Sequence, residues 1–547
     1  MERTCTRWRN LLRTSWTRFK KLDFSEQKWG MKPLYKVDSG LVSIDLKHAI
    51  ILKSVIEKCG SYLISLDLGC EKLSPCGKSV RTDVCKKSCI LRIITKSCTK
   101  LQNIKIRVCC TNGLKRFAKH SNGLKSIKFF GLGYFYEKTI DEFMNSLVTN
   151  NSELKSMKLI KLSSWDFLSN TDNKFESLKL SLDSTHVNDS QNILAKCIER
   201  SQEILKELTI QAFNLNFDRI LNALQHCVHL TKLKIHVELL VKNYSDAQFA
   251  NIFKYCRFIE SISVKGLYCD SENDYSDYFS GSETVHWLYH VNPVVLKKLH
   301  LEANSIATKN IFLNELPVFL NLRDLSLNNI STHHDTKICD SIATCINLQK
   351  LQFSRCGSLM KSTHGHYFFT YLTNLRDLTV IQYNNCNLNE NEMVHCLAKN
   401  LKLLENLTLG LLNLSDVGLV YLPLLKNLRF LAILGNEKLV GTNLLLLKNL
   451  TCLKCLDCYK LSNNSLTLLI KNSVNLNKLI IERCTQITHK VIDAAIVVKS
   501  FAENENLPLT IEGNIYDRAI MNYAHKYRGL KLNVSYFDDM MYELENY

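Results

Sequence analysis

Five lysines stand at one recurring place in this chain. Lys105, Lys128, Lys158, Lys179 and Lys234 each lie between the second and third apolar residues of the pattern apolar-x-x-apolar-x-apolar. In a strand, a residue between two inward-facing neighbours points to the opposite face. Adjacent strands are ~4.8 Å apart, so these ammonium groups would form a basic ladder that repels itself until an acidic group arrives. The same offset reads Asp23, Asp45 and Asp67 before the lysines, Thr209 among them and mainly neutral residues after them. The ladder is expected to hold an acidic or phosphorylated protein segment. A solvated lysine-rich face is the plainer reading of the same residues.

Other reactive residues are distributed in ways that argue against catalysis. Cys452, Cys455 and Cys458 are spaced three apart, and Cys70, Cys76, Cys85, Cys89 and Cys98 crowd one long interval. Structural zinc usually takes two separated pairs, so the first trio is expected to be structural. The Cys70 to Cys98 group leaves a small metal or redox site open beside a structural reading. His333-His334 and His364-Gly-His366 read as loop residues, and no Walker loop, Gly-x-Ser-x-Gly elbow or His-Glu-x-x-His occurs. No enzymatic activity, catalytic residue, resident metal or cofactor is expected.

The apolar pattern that positions the lysines runs through most of the chain. It starts at Phe19, Leu41, Leu63, Leu101, Leu124, Leu154, Phe175, Leu205, Leu230 and Ile259, and again at Leu296, Leu322, Leu348, Leu375, Leu404, Leu428, Leu453 and Leu476. From Phe19 to Leu476 is 457 residues over 17 intervals, about 27 each, inside the 20–29 period of leucine-rich repeats. Weaker copies at Leu509-Thr-Ile511 and Leu530-Lys-Leu532-Asn-Val534 have Asn506 and Gly529 where the leading Leu belongs. Between strands the spacing turns helical, as in Leu444, Leu447 and Leu450 or Leu466, Leu469 and Ile470. The expected fold is α/β: a leucine-rich-repeat solenoid of about 18–20 units, a horseshoe with parallel strands on the concave face and helices outside. It would occupy residues 19–500, with degenerate repeats and a cap over 501–547 and a separate helical element over 1–18.

Cysteine placing refines this. Cys98, Cys227, Cys256 and Cys345 lie three residues before a repeat start, and Cys109, Cys356 and Cys484 eight after one. Segments such as Leu476-Asn-Lys-Leu-Ile-Ile-Glu-Arg-Cys484-Thr-Gln-Ile-Thr488 resemble the cysteine-containing leucine-rich repeats, in which Cys closes the strand as a small apolar plug.

The first residues differ. Arg3-Thr-Cys5-Thr-Arg-Trp8-Arg-Asn-Leu11-Leu12 places Cys5, Trp8, Leu11 and Leu12 on one helical face, and Ser15-Trp16-Thr-Arg-Phe19-Lys-Lys-Leu22-Asp-Phe24 leads into the first repeat. This resembles the C-terminal part of an F-box, and together with the repeats it resembles the F-box proteins with leucine-rich repeats. The family's opening Leu-Pro segment and first helices have no counterpart in this sequence. The resemblance implies a substrate-recognition subunit of a Skp-cullin-F-box ubiquitin ligase. Cys5, Trp8, Leu11, Leu12 and Trp16 would dock a Skp-type adaptor and hence a cullin. The alternatives are a cap on the apolar end of the solenoid and a ligase-independent scaffold or inhibitor.

Composition sets the remaining bounds. The 547 residues would suggest three or four domains at about 150 each, but 19 Gly and 6 Pro leave no linker-like stretch. The first 21 residues lack the apolar core of a secretory signal, and the apolar stretch Leu407 to Leu434 is interrupted by Asp416, Lys426 and Arg429. No membrane span is expected. The 22 cysteines are too dilute for a disulfide scaffold, which points to reduced thiols in the cytoplasm or nucleus. The sequons at Asn406 and Asn533 fall in expected strands and reflect an Asn-rich composition. An acidic segment, Asp270 to Glu283, reads as a protruding loop. Net charge is +18, but aromatics are not interleaved with the lysines as stacking platforms, so a nucleic-acid partner is not expected.

Overall fold

The computed structural model describes residues 20–23, 35–38, 41–44, 46–68, 90–107, 111–130, 137–162, 165–182, 190–215, 218–240, 246–267, 286–303, 319–329, 337–356, 367–382, 389–500, 509–515 and 530–536. They fall in two units, Met1–Ser261 and Ile262–Tyr547. The first carries β1 (Lys21–Asp23), β2 (Tyr35–Asp38), β3 (Leu41–Ile44), β4 (Ser65–Leu68), β5 (Asn103–Arg107), β6 (Ser126–Phe130), β7 (Ser156–Leu162), β8 (Ser177–Leu182), β9 (Glu207–Leu215) and β10 (Lys232–Leu240). The division falls at the first residue of β11 (Ser261–Leu267). The second unit continues with β12 (Lys298–Ala303), β13 (Asp324–Asn328), β14 (Lys350–Ser354), β15 (Asp377–Gln382), β16 (Asn406–Leu411), β17 (Phe430–Leu434), β18 (Cys452–Leu456), β19 (Lys478–Glu482), β20 (Leu509–Ile515) and β21 (Leu530–Tyr536).

Each unit is a leucine-rich-repeat solenoid. In the first, β1 pairs with β4, and β4 to β10 pair in chain order, all parallel. In the second, β12 to β21 do the same. Parallel neighbours need a crossover between them, and the helices and 3-10 turns of successive repeats pack on one another. Helix Asn463–Asn472 shows the local logic. Ser462 caps it by accepting the Ser465 N–H at 3.2 Å, while Leu466, Leu469 and Ile470 face the core. The three apolar positions of a repeat are buried together, as in Leu154, Met157 and Leu159 or Leu404, Leu407 and Leu409.

Three local expectations are corrected by strand pairing. The repeat expected at Leu41 is not in the stack: β3 pairs antiparallel with β2, and Leu46 already begins helix Leu46–Cys59. The repeat expected at Leu453 starts at Leu450, because Leu431 lies opposite Leu453 and Ile433 opposite Cys455. Cys455 is therefore the third inward residue, and Leu444 to Leu450 forms only the 3-10 turn Thr442–Leu446 before the next strand begins. In β20 the inward pair is offset by two: Ile511 faces Leu479, and Gly513 stands opposite Ile481. Gly513 has φ +129, and a Cβ there would come within 1.7 Å of the Ile481 carbonyl oxygen, so only glycine fits.

The cysteine positions act as joints between repeats. Cys356 Sγ donates to Leu327 O at 3.2 Å, Cys458 to Ile433 O at 3.5 Å and Cys484 to Cys455 O at 3.7 Å, each reaching the preceding repeat. Asn436 fills the equivalent place with a fuller set of bonds, described below. The residue just before this joint is left-handed: Arg355, Asp457 and Arg483 have φ of 56, 55 and 54, and Gly435 has φ 60. That conformation costs a non-glycine residue roughly 1–2 kcal/mol. It aims the N–H of Arg355, Gly435 and Asp457 at Ile381 O, Leu456 O and Glu482 O of the next strand, at 2.8, 2.8 and 3.0 Å. On the outside, Asn321, Asn347, Asn374, Asn427 and Asn449 donate to carbonyls of the previous repeat at 2.7–3.1 Å, which gives the Asn-rich composition a structural use.

Burial pushes the thiols of Cys227, Cys256 and Cys345 up to about 12. Hydrogen bonding among Cys455, Cys458 and Cys484, with burial, also raises Cys458 and Cys484. A thiol that stays protonated and inaccessible does not attack electrophiles. Native alkylation with iodoacetamide at pH 8, mapped by peptide mass spectrometry, is expected to leave Cys227, Cys256, Cys345, Cys458 and Cys484 unmodified while denatured chain reacts at all five. Modification of Cys458 or Cys484 at the denatured rate would contradict the packing.

Candidate functional site

The lysine ladder forms in register. Across the outward face of the first unit, Asp23 lies opposite Asp67, Asp67 opposite Lys105, and Lys105, Lys128, Lys158 and Lys179 follow strand by strand. Thr209 is next, then Lys234. Asp45 lies outside the described residues, and the strand that precedes it, β3, pairs with β2. Period-two alternation makes the outcome unavoidable: once the flanking apolar residues are buried, the residue between them must face out.

Carboxylates bracket the row at both ends. Lys105 pairs with Asp67 at 3.3 Å. At the other end Glu207 accepts Lys179 at 2.7 Å and Lys232 at 2.5 Å. Neither Glu207 nor Lys232 was expected in the site; both sit two residues ahead of the ladder column, on the same face. Burial would raise the Glu207 carboxyl, but the hydrogen bonds and charges of Lys179 and Lys232 outweigh it and bring it down to about 2.

The middle of the ladder is organised around a ring. Lys105 and Lys158 lie over the face of Phe130, their Nζ atoms 5.9 and 5.3 Å from its centroid, and each contact contributes ~0.5–1 kcal/mol. Lys128 stands exposed between them and, among the described residues, forms no salt bridge. Partial burial of its stem, with the charges of Lys158 and Lys179, holds the Lys234 ammonium below the usual lysine range. Beside the lysines, on the same face, runs a column of hydroxyls: Ser126, Ser156 and Ser177. Ser177 Oγ donates to Glu207 at 3.3 Å. The arrangement leaves Lys128, among the described residues, without a carboxylate partner and flanked by the hydroxyls of Ser126 and Ser156.

Glu207 also makes the ladder pH-sensitive. Its folded-state pKa lies below the ordinary 4.5, so its stabilising contribution is complete above pH 4.5 and is lost as pH falls toward 2. Glu207→Gln is expected to lower Tm at pH 7, with the difference from wild type shrinking between pH 4.5 and about 2. A pH-independent difference in thermal unfolding would reject this assignment.

Cys5, Trp8, Leu11, Leu12 and Trp16 lie outside the described residues, as do Cys70, Cys76, Cys85, Cys89, both histidine pairs and the acidic segment Asp270 to Glu283. Cys98 is buried beside Cys59, with its thiol pushed up to about 12. Among the described residues, no group of three or more His, Cys, Asp or Glu is placed to hold a metal ion, and no helix is long and apolar enough to cross a membrane.

No protein-family model and no curated protein matches the chain. Solved structures with a similar chain path include the TLR13–ssRNA13 complex, at TM-score 0.41 and 13% identity, covering 93% of this chain and 68% of that one. The Rad7 and Elc1 complex from yeast gives 0.37 and 15%, covering 72% and 76%. An internalin of Listeria monocytogenes, InlF, gives 0.34 and 13%, covering 76% and 95%.

Proposed function

We propose that this chain is a non-catalytic substrate-recognition subunit of a Skp-cullin-F-box type ubiquitin ligase, acting in the cytoplasm or nucleus. On this reading the lysine ladder holds an acidic or phosphorylated segment of the target, and partner enzymes transfer the ubiquitin. The observation that carries target binding is the register of Lys105, Lys128, Lys158, Lys179 and Lys234 on one solenoid face. Adaptor docking rests on the resemblance of Cys5, Trp8, Leu11, Leu12 and Trp16 to an F-box. A nucleic-acid strand fits the ladder less well, because Phe130 is 4% exposed beneath two lysine stems and offers no open face for a base.

Two measurements test the two halves. Affinity purification of the tagged chain is expected to recover a Skp-type adaptor and a cullin in stoichiometric amount. Clean absence of both, with acidic-peptide binding retained, would instead identify a ligase-independent scaffold or inhibitor. Titration with a labelled nonapeptide carrying four Glu is expected to show affinity that falls as salt rises from 50 to 300 mM. Binding independent of salt would remove the ladder from the reading.

A further inference from the structure

Two columns of donors stand side by side on the outward strand face of the first unit. Ser126, Ser156 and Ser177 lie in register on β6, β7 and β8, and Lys128, Lys158 and Lys179 lie two residues further along the same strands. Neighbouring strands are ~4.8 Å apart and residues i and i+2 about 6.7 Å apart, so each pair of strands carries a cell with two hydroxyls and two ammonium groups at its corners. The cells are not equally open. In the cell of β7 and β8, Ser177 donates to Glu207 at 3.3 Å and Lys179 pairs with it at 2.7 Å. Glu176, beside Ser177 in the chain, is taken by Lys155 and Lys206 at 3.3 and 3.5 Å. Toward the other end, Asp67 holds Lys105 at 3.3 Å. Between them lies the cell of Ser126, Lys128, Ser156 and Lys158. Among the described residues, Lys128 forms no salt bridge and neither serine Oγ forms a hydrogen bond.

The donor set selects the ligand. A carboxylate has two oxygens and one charge, whereas a phosphomonoester has three terminal oxygens and a charge of about −1.5 to −2 at pH 7. Two ammonium groups and two hydroxyls match the phosphate; a carboxylate in the same cell leaves donors unmet. A nucleic-acid phosphodiester, with two terminal oxygens and one charge, fits the cell no better than a carboxylate.

A second lysine sets a spacing. Lys234 is exposed and, among the described residues, forms no salt bridge. Glu207 lies on the same face, but it is already on Lys179 and Lys232 at 2.7 and 2.5 Å, so the local charge stays positive. From Lys158 the row runs through Lys179 and Thr209 to Lys234, three strand steps or about 14 Å. Four extended residues span ~13 Å and bring side chains i and i+4 to the same face.

We infer that the open cell is a phosphate site, and that it holds a phosphorylated protein segment carrying a carboxylate about four residues away, seated on Lys234. This rests on the proposed binding of an acidic or phosphorylated segment by the row; it selects the phosphorylated class and adds the spacing.

Fluorescein-labelled nonapeptides of otherwise neutral sequence test it on the full chain by anisotropy. Two carry phosphoserine with a Glu four residues before or after it. The tighter of these is expected to bind at least about tenfold better than the same peptide with Glu in place of phosphoserine. It should also bind at least about threefold better than a phosphopeptide whose Glu is two residues away. Joint Ser126→Ala and Ser156→Ala should shrink the first ratio below about threefold, and Lys234→Gln should erase the second, with folding checked by thermal unfolding. Equal affinity for the phosphoserine and Glu peptides, both falling with salt, would overturn the phosphate site and leave a surface for acidic segments. No binding of any peptide would remove both readings. Indifference to spacing, or tighter binding of a single-stranded decanucleotide than of the phosphopeptide, would also overturn the inference.

Discussion

Reversing Lys128, Lys158 and Lys179 to Glu together is expected to weaken capture of an acidic segment by more than about 100-fold. Each reversal replaces an attraction of roughly 1 kcal/mol at a partly exposed site with a repulsion, and about 1.4 kcal/mol is tenfold. The three positions are not equivalent. Lys179 is already bound to Glu207, so Lys179→Glu alone should cost least and also disturb that carboxylate. Lys128 forms no such pair among the described residues and should cost most as a single change. The triple Gln variant, which removes charge without reversing it, should bind more weakly than wild type and more tightly than the triple Glu variant. Calorimetric or anisotropy titration at 50 and 300 mM salt reads all three. Unchanged affinity in the triple Glu variant would show that the row is only a solvated face.

The largest stability effect is expected at Asn436, which is fully buried. Its Nδ2 donates to Leu411 O at 2.7 Å and Leu414 O at 2.9 Å, and its Oδ1 accepts the N–H groups of Lys438 and Leu439 at 3.0 and 2.7 Å. Asn436→Ala leaves two donors and two acceptors without these partners, and each unmet buried group costs ~1–3 kcal/mol. A loss of about 3–5 kcal/mol is therefore expected after relaxation, read as the urea midpoint of the transition that reports the second unit. Asn436→Cys should fall between wild type and Ala. Cys356, Cys458 and Cys484 fill the same joint with a sulfur donor in place of the amide. A shift below about 0.5 kcal/mol for the Ala variant would mean that water replaces the side chain without loss.

Fold and ladder were legible for one reason. A strand alternates with period two, so an offset counted from apolar residues states which face a side chain occupies, and parallel stacking then aligns equal offsets. Lys105 to Lys179 needed no more than that. Where the local pattern admits two counts, the reading failed. Leu447, Leu450, Leu453 and Leu456 recur every three residues, so either Leu450 or Leu453 can lead a repeat. Only the pairing of Leu431 with Leu453 chooses. Leu41 to Leu46 carries an acceptable repeat motif, yet β2 competes for β3 from a few residues away, and closing a short hairpin requires less chain ordering than inserting a strand between β1 and β4.

The amino-acid sequence by itself thus determined the repeat architecture, its outward lysine row and its buried cysteine joints, because each depends on spacing within about ten residues. Tertiary structure alone decided how those charges are neutralised. Asp67 lies 38 residues from Lys105 in the chain, and Glu207 lies 28 from Lys179, yet both meet their lysines across neighbouring strands. It also decided that Lys128, among the described residues, stands without a salt bridge. Those properties belong to the packing of one repeat against the next, and no local pattern encodes them.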